Sequence, residues 1–172
     1  MSNLVIQTAF LGDLLLSIPL LRAVKQYAPE AELELLARQG IGQFLEKLSI
    51  VDKVYEVDKK DSESLARTRK LLKDQTYDVL ISPHQSFRTA LWVSGINAKV
   101  KVGFSRWWNF PVFDLRVTRP MQFPDALRQL SLMGAIDKSY QKHLRTLENN
   151  DLFLNRNTLR DINNRIAIPE WA

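Results

Sequence analysis

The first twenty-seven residues constrain the fold more than any other stretch of this chain. Asn3-Leu4-Val5-Ile6-Gln7-Thr8 reads as a short apolar strand and Ala9-Phe10-Leu11-Gly12-Asp13 as a turn. Leu14 to Tyr27 reads as a helix with Leu14, Leu15, Ile18, Leu21 and Val24 on its apolar side. Strand, glycine turn and helix in succession are how an α/β sheet begins. Asp13 falls where the strand's C-terminal end meets the helix N-terminus, the place where open α/β sheets hold their ligands. The same position also suits a purely structural acid. Aspartate is a favoured N-cap, and a carboxylate in the first turn gains roughly 0.3–1 kcal/mol from the helix dipole. Gly12 stands without the further glycines of a dinucleotide turn and without the lysine of a P-loop, so the turn alone marks no phosphate site.

The alternation continues down the chain. Glu32 to Ala37 is a second strand, followed by the loop Arg38-Gln39-Gly40-Ile41-Gly42 and a short helix through Leu48. Lys53 to Val57 is a third strand. Ser62 to Lys73 is a helix capped by Asp61 or Ser62. Tyr77 to Ser82 is a strongly apolar fourth strand, Pro83-His84-Gln85-Ser86 a turn, Phe87 to Ser94 a helix and Val100 to Phe104 a fifth strand. Phe113 to Thr118 is a sixth strand and Pro124 to Gly134 a helix. Such a pattern predicts a Rossmann-like parallel sheet with helices on both faces, over residues 1–144. The C-terminal ends of parallel strands open on one edge. That edge is expected to carry Asp13, Arg38, His84, Gln85, Ser86 and the loop after Phe104. The loop, Ser105 to Pro111, has two tryptophans and one arginine; it either lines a site or lipid surface or closes the core. Residues 145–165 hold six Asn and four Arg among a few leucines. Residues 145–172 are therefore expected to be a linker or helical tail.

Composition narrows the function. A length of 172 residues suits one domain with a sizeable core. No apolar run approaches the ~20 residues of a membrane span, and no basic leader precedes an apolar run, so no secretory signal is expected. There are no cysteines, which removes thiolate chemistry and makes a cytoplasmic site the simplest default. A net charge of +5 and a pI near 9.6 point to acidic partners. The densest basic group, Arg67, Arg69, Lys70 and Lys73, reads as a solvated helix face. No zinc-finger or RNP-type motif is present, so nucleic acid is not expected. Two histidines, His84 and His143, lie far apart without companion carboxylates at ligand spacing, and no Asp-x-Asp element occurs, so no metal is expected. No nucleophile elbow of the Gly-x-Ser-x-Gly kind exists.

Thr8 to Asp13, Ile18-Pro19-Leu20-Leu21-Arg22-Ala23-Val24-Lys25 and Ala28-Pro29-Glu30-Ala31 resemble the opening of glycosyltransferase family 9, the ADP-heptose-dependent lipopolysaccharide heptosyltransferases. The likeness includes Pro19, placed inside the predicted helix, where proline normally costs about 3 kcal/mol and kinks the chain. Val54 to Asp58, Tyr77 to Ser82 and Lys101 to Phe104 extend the resemblance, which runs from about residue 3 to about residue 136. It implies the N-terminal half of a GT-B glycosyltransferase, whose acceptor-binding domain faces a donor domain across a cleft. The implied reaction is inverting and metal-independent, adding heptose from ADP-heptose to the lipopolysaccharide inner core. No cofactor is implied, and the ADP-sugar donor is bound by the C-terminal domain, absent from this chain. By resemblance Asp13 is the general base. Thr8, Gly12, Arg38, His84, Gln85, Arg88 and Arg106 are the substrate-binding candidates. Pro124 stands where many members have a histidine. The implied acceptor is an acidic glycolipid, the lipopolysaccharide precursor, met from the cytoplasm by a protein peripheral to the inner membrane. The chain alone is expected to be inactive. The alternative is a non-catalytic α/β domain that binds an acidic glycolipid or a protein partner.

Overall fold

A computed structural model describes residues 1–142. The strands are β1 (Ser2–Gln7), β2 (Glu32–Arg38), β3 (Lys53–Val57), β4 (Thr76–Ser82), β5 (Asn97–Phe104) and β6 (Leu115–Val117). The helices are α1 (Leu11–Leu15), α2 (Ile18–Tyr27), α3 (Gln43–Lys47), α4 (Ser62–Lys73), α5 (Phe87–Ser94) and α6 (Asp125–Leu130). Short 3₁₀ turns cover Trp107–Asn109 and Ser131–Ala135. All strand pairs are parallel, in the order β3-β2-β1-β4-β5-β6. The order reverses between β1 and β4, which creates a crevice at their C-terminal ends. The tail expected over 145–172 lies outside the described residues, as does His143.

The side-chain alternation of each strand feeds two cores. Val5, Leu35, Ile81, Val102 and Phe104 point to one face, where Leu14 of α1, Leu20, Leu21 and Val24 of α2, Leu45 of α3 and Met133 cover them. Leu4, Ile6, Leu36 and Leu80 point to the other, beneath Leu72 of α4, Val93 of α5 and Phe113, and Tyr77 near the start of β4 packs into the same cluster although it is out of step with that alternation. Helices on both faces follow from strands apolar on both faces. Burying one such side chain is worth about 1.5–3 kcal/mol.

The largest departure from the sequence-based expectation is at the first helix. Leu14 to Tyr27 is not one kinked helix. α1 ends at Leu15, the chain turns at Leu16 and Ser17, and Pro19 sits in the first turn of α2. There its missing N–H has no helical partner to lose, so the proline is comfortable rather than strained. The turn is also shorter than expected, because Gly12 lies within α1. A Cβ on Gly12 would meet nothing within 4 Å, so no steric demand fixes glycine there. Asp13 is not the N-cap of that helix but its third residue, and its Oδ2 accepts the N–H of Phe10 at 3.3 Å. α4 and α5 begin as read. Asp61 caps α4 by accepting the N–H of Glu63 at 2.9 Å, and Ser86 caps α5 by accepting that of Thr89 at 3.1 Å. The helix expected from Pro124 to Gly134 is α6 followed by a 3₁₀ turn.

Candidate functional site

Strand polarity gathers the site. Thr8, Arg38, Lys59, His84 and Arg106 each belong to or follow the C-terminal end of a different strand, and so share one edge. Asp13 and His84 flank the crevice between β1 and β4. Thr8 is buried, and lines a cavity of about 10 Å³ with Ile6, Leu36, Val57, Lys59, Arg88 and Trp92. That is room for roughly one water. The Arg38 guanidinium stands 4.9 Å from the centre of the Phe10 ring. Phe10 and Leu11 lie open to solvent and offer an apolar wall beside Asp13.

Charge on this edge is lopsided. Lys59, half-buried in the loop after β3, has its ammonium pushed below the usual lysine range, first by burial and then by the cations Arg38 and Arg88. Arg38 and Arg88 therefore both act on Lys59, with no anion offsetting them there among the described residues. Glu56, at the end of β3, is occupied by the backbone N–H groups of Gly40, Gly42 and Gln43. His84 is also depressed, chiefly by burial and next by Lys59, while the Asp13 carboxylate pulls it up. Burial and Lys59 thus favour its neutral imidazole. Titration of the ring by NMR is expected to give a pKa below the ordinary ~6.5. Lys59→Ala raises that value and Asp13→Asn lowers it, because each removes one of the two opposing charges. An Asp13→Asn ring that titrates unchanged would separate the two residues.

A second group sits beside the first. Gln85 Oε1 accepts from Arg106 at 2.8 Å and from Arg119 at 3.4 Å. Arg119 pairs with Asp125 and stands 5.5 Å from the centre of the Phe104 ring. The Asp125 carboxyl is held below its usual range. Burial works against this, but the Gln129 amide, Arg119 and Arg128 outweigh it. Gln129 then carries the connection back to Asp13. Its amide donates to Asp125 at 2.9 Å and to the Asp13 carbonyl at 3.3 Å. Its Oε1 accepts from Gln7 at 3.2 Å and from the Ser17 hydroxyl at 2.5 Å. The Asp13 carbonyl, 2.9 Å from the Ser17 hydroxyl, competes with Gln129 for its single proton, and Ser17 accepts from Gln7 at 3.1 Å. Gln7, Ser17 and Gln129 are all buried. A buried, satisfied network of this kind is rigid, and it fixes the backbone that presents the Asp13 carboxylate.

Of the residues singled out from sequence, Asp13 acts on His84, Arg38 and Arg88 act on Lys59, which also acts on His84, and Thr8 lines the small cavity with Lys59 and Arg88. Gln85 and Arg106 form the neighbouring group, while the Gly12 carbonyl accepts the Leu16 N–H at 3.0 Å at the end of α1. Lys59 and the Gln7–Ser17–Gln129 network were not anticipated. Lys59 was legible in principle, since it follows a parallel strand as Arg38 does. The network joins residues up to 122 positions apart and leaves no local signature. The basic residues of α4 are exposed, as a solvated face requires. Among the described residues no group of three or more His, Cys, Asp or Glu is placed to hold a metal, and no helix is long and apolar enough to cross a membrane.

No protein-family model matches the sequence, and no curated protein matches it. Solved structures do match. E. coli heptosyltransferase WaaC with ADP aligns with a TM-score of 0.67 at 19% identity, over 78% of this chain and 47% of that one. A glycosyl transferase family 9 structure from Veillonella parvula aligns with a TM-score of 0.69 at 19% identity, over 78% and 40%. E. coli ADP-heptose lps heptosyltransferase II aligns with a TM-score of 0.63 at 23% identity, over 77% and 40%. The chain thus spans less than half the length of these structures. The resemblance carried by the Thr8–Asp13 stretch and its companions extends to three dimensions: this chain has the Rossmann-like parallel α/β fold of the family 9 heptosyltransferases, over 40–47% of their chains.

Proposed function

We propose that this chain is the acceptor-binding half of an inverting, metal-independent heptosyltransferase. The observation that carries this reading is the under-compensated cation group Lys59, Arg38 and Arg88 beside the Asp13 carboxylate, on the edge where such sheets bind ligands. Cations placed together call for an anionic ligand, and an acidic inner-core saccharide on a lipid supplies carboxylates and phosphates. The WaaC structures, solved with ADP and with an ADP-heptose analogue, support an ADP-sugar as donor. That donor would be held by a second domain facing this edge.

In this mechanism the Asp13 carboxylate accepts the proton of the attacking acceptor hydroxyl. The freed oxygen bonds to the anomeric carbon from the face opposite ADP. The bond between that carbon and the terminal phosphate oxygen breaks, ADP leaves with the electron pair, and the centre inverts. Neutral His84 holds an acceptor hydroxyl by hydrogen bonding. Arg38, Lys59 and Arg88 bind acceptor anions, and Gln85 with Arg106 continues the same wall. The protein works at the cytoplasmic face of the inner membrane, peripherally. Titration with lipid A bearing its acidic inner-core sugars, in parallel with ADP, tests this by tryptophan fluorescence. Saturable binding of the glycolipid without binding of ADP is expected. Binding of ADP alone would assign this chain to the donor instead.

A further inference from the structure

Few soluble proteins leave a tryptophan almost wholly in water, and Trp107 is 90% exposed. The two tryptophans of the loop after β5 do not close the core. Phe104 and Phe113 do that, while Trp108 is half-buried, its ring 5.8 Å edge-on from Phe87. The loop is nonetheless pinned. Buried Asn109 donates to the Phe104 carbonyl at 2.8 Å and accepts the N–H of Arg106 at 3.0 Å. Trp107 and Phe110 are therefore held outward by a built turn. Phe87 and Leu91, one turn apart on α5, are also exposed. The Phe87–Trp108 contact joins the helix face and the loop into one apolar strip.

The charges around the strip are mostly positive. Arg88 lies on α5, which has no acid. Arg106 precedes Trp107, and the Arg116 guanidinium stands 4.3 Å from the centre of the Phe110 ring. Between Ser105 and Val117 the single acid is Asp114, and its carboxylate already accepts the Lys101 N–H at 2.8 Å. Exposed aromatics interleaved with arginines match the interfacial zone of an anionic bilayer, where indole rings sit at headgroup depth and arginines meet phosphates.

We infer that the strip Phe87, Leu91, Trp107, Trp108 and Phe110, with Arg88, Arg106 and Arg116, docks the chain on an anionic lipid surface. This deepens the peripheral-membrane part of the proposed function, because the strip adjoins the edge that would take a lipid-linked acceptor. The bilayer contact itself needs no acceptor, so vesicles without glycolipid test it separately. The chain is expected to co-sediment with phosphatidylglycerol–phosphatidylethanolamine vesicles, less so as salt rises, and only weakly with phosphatidylcholine. Brominated lipids quench Trp107. The double variant Trp107→Ala/Phe110→Ala loses affinity roughly tenfold or more, and Arg116→Ala reduces the salt dependence. Both aromatic positions are exposed, and circular dichroism confirms that the variant is folded. No vesicle binding, binding indifferent to the double variant, or a strip that instead pairs two copies in solution overturns the inference. Failure of saccharide binding with vesicle binding intact would overturn the acceptor reading and leave this one standing.

Discussion

Asp13→Asn lowers glycosyl transfer by at least ~10²-fold in an enzyme that joins this chain to a donor-binding domain. The amide keeps the size and the contact with the Phe10 N–H but takes no proton. The drop falls on kcat, with acceptor affinity changed little, because Arg38, Lys59 and Arg88 still hold the acceptor anions. Stability changes little as well. Among the described residues the Asp13 carboxylate has one hydrogen bond, at 3.3 Å, while its backbone is held by Ser17 and Gln129. Steady-state turnover and urea unfolding of the same variant separate the two roles. A variant with full turnover, or one that unfolds, returns Asp13 to a structural part in α1.

Tyr77→Ala destabilises the domain by about 3–5 kcal/mol, the range for deleting a fully buried aromatic ring. Tyr77 lies on central strand β4 with no exposure, and its hydroxyl donates to buried Glu34 at 2.7 Å. Burial, and then the Glu34 carboxylate beside it, pushes the phenol well above its usual range, so the proton stays on oxygen and the donation holds. Tyr77→Phe isolates that hydrogen bond. It leaves a buried carboxylate short of a donor and costs about 1–3 kcal/mol. Both values come from urea midpoints at unchanged slope. A Tyr77→Phe protein within about 0.5 kcal/mol of the parent would mean that Glu34 finds another donor at no loss.

These two residues illustrate what sequence reveals and what it hides. Tyr77 was legible as part of a strand because Tyr77 to Ser82 is apolar, and such runs fold as buried parallel strands. Its partner Glu34 was not, since a glutamate in an alternating strand reads as a solvent-facing residue. The parallel sheet and its shared edge followed from the alternation of strands and helices, a physical rule with few exceptions; the strand order did not. Pro19 misled because a proline inside a helix and one in the first turn of a second helix have the same local sequence. The break depends on Ser17, whose hydroxyl is drawn into the network with Gln129. Trp107 was ambiguous for a similar reason. Exposure of a ring is decided by Asn109 folding the turn beneath it, not by the ring itself.

The measurement that tests the account most directly is an NMR titration of this chain with a soluble, acidic inner-core saccharide. Shift changes are expected to centre on Asp13, Arg38, Lys59, His84 and Arg88, with the His84 pKa rising as the bound anion offsets Lys59. Changes confined to the opposite edge, around Glu32, Thr76 and Asn97 where β2, β4 and β5 begin, or no change at saturating saccharide, would contradict the assignment of this edge as the acceptor site.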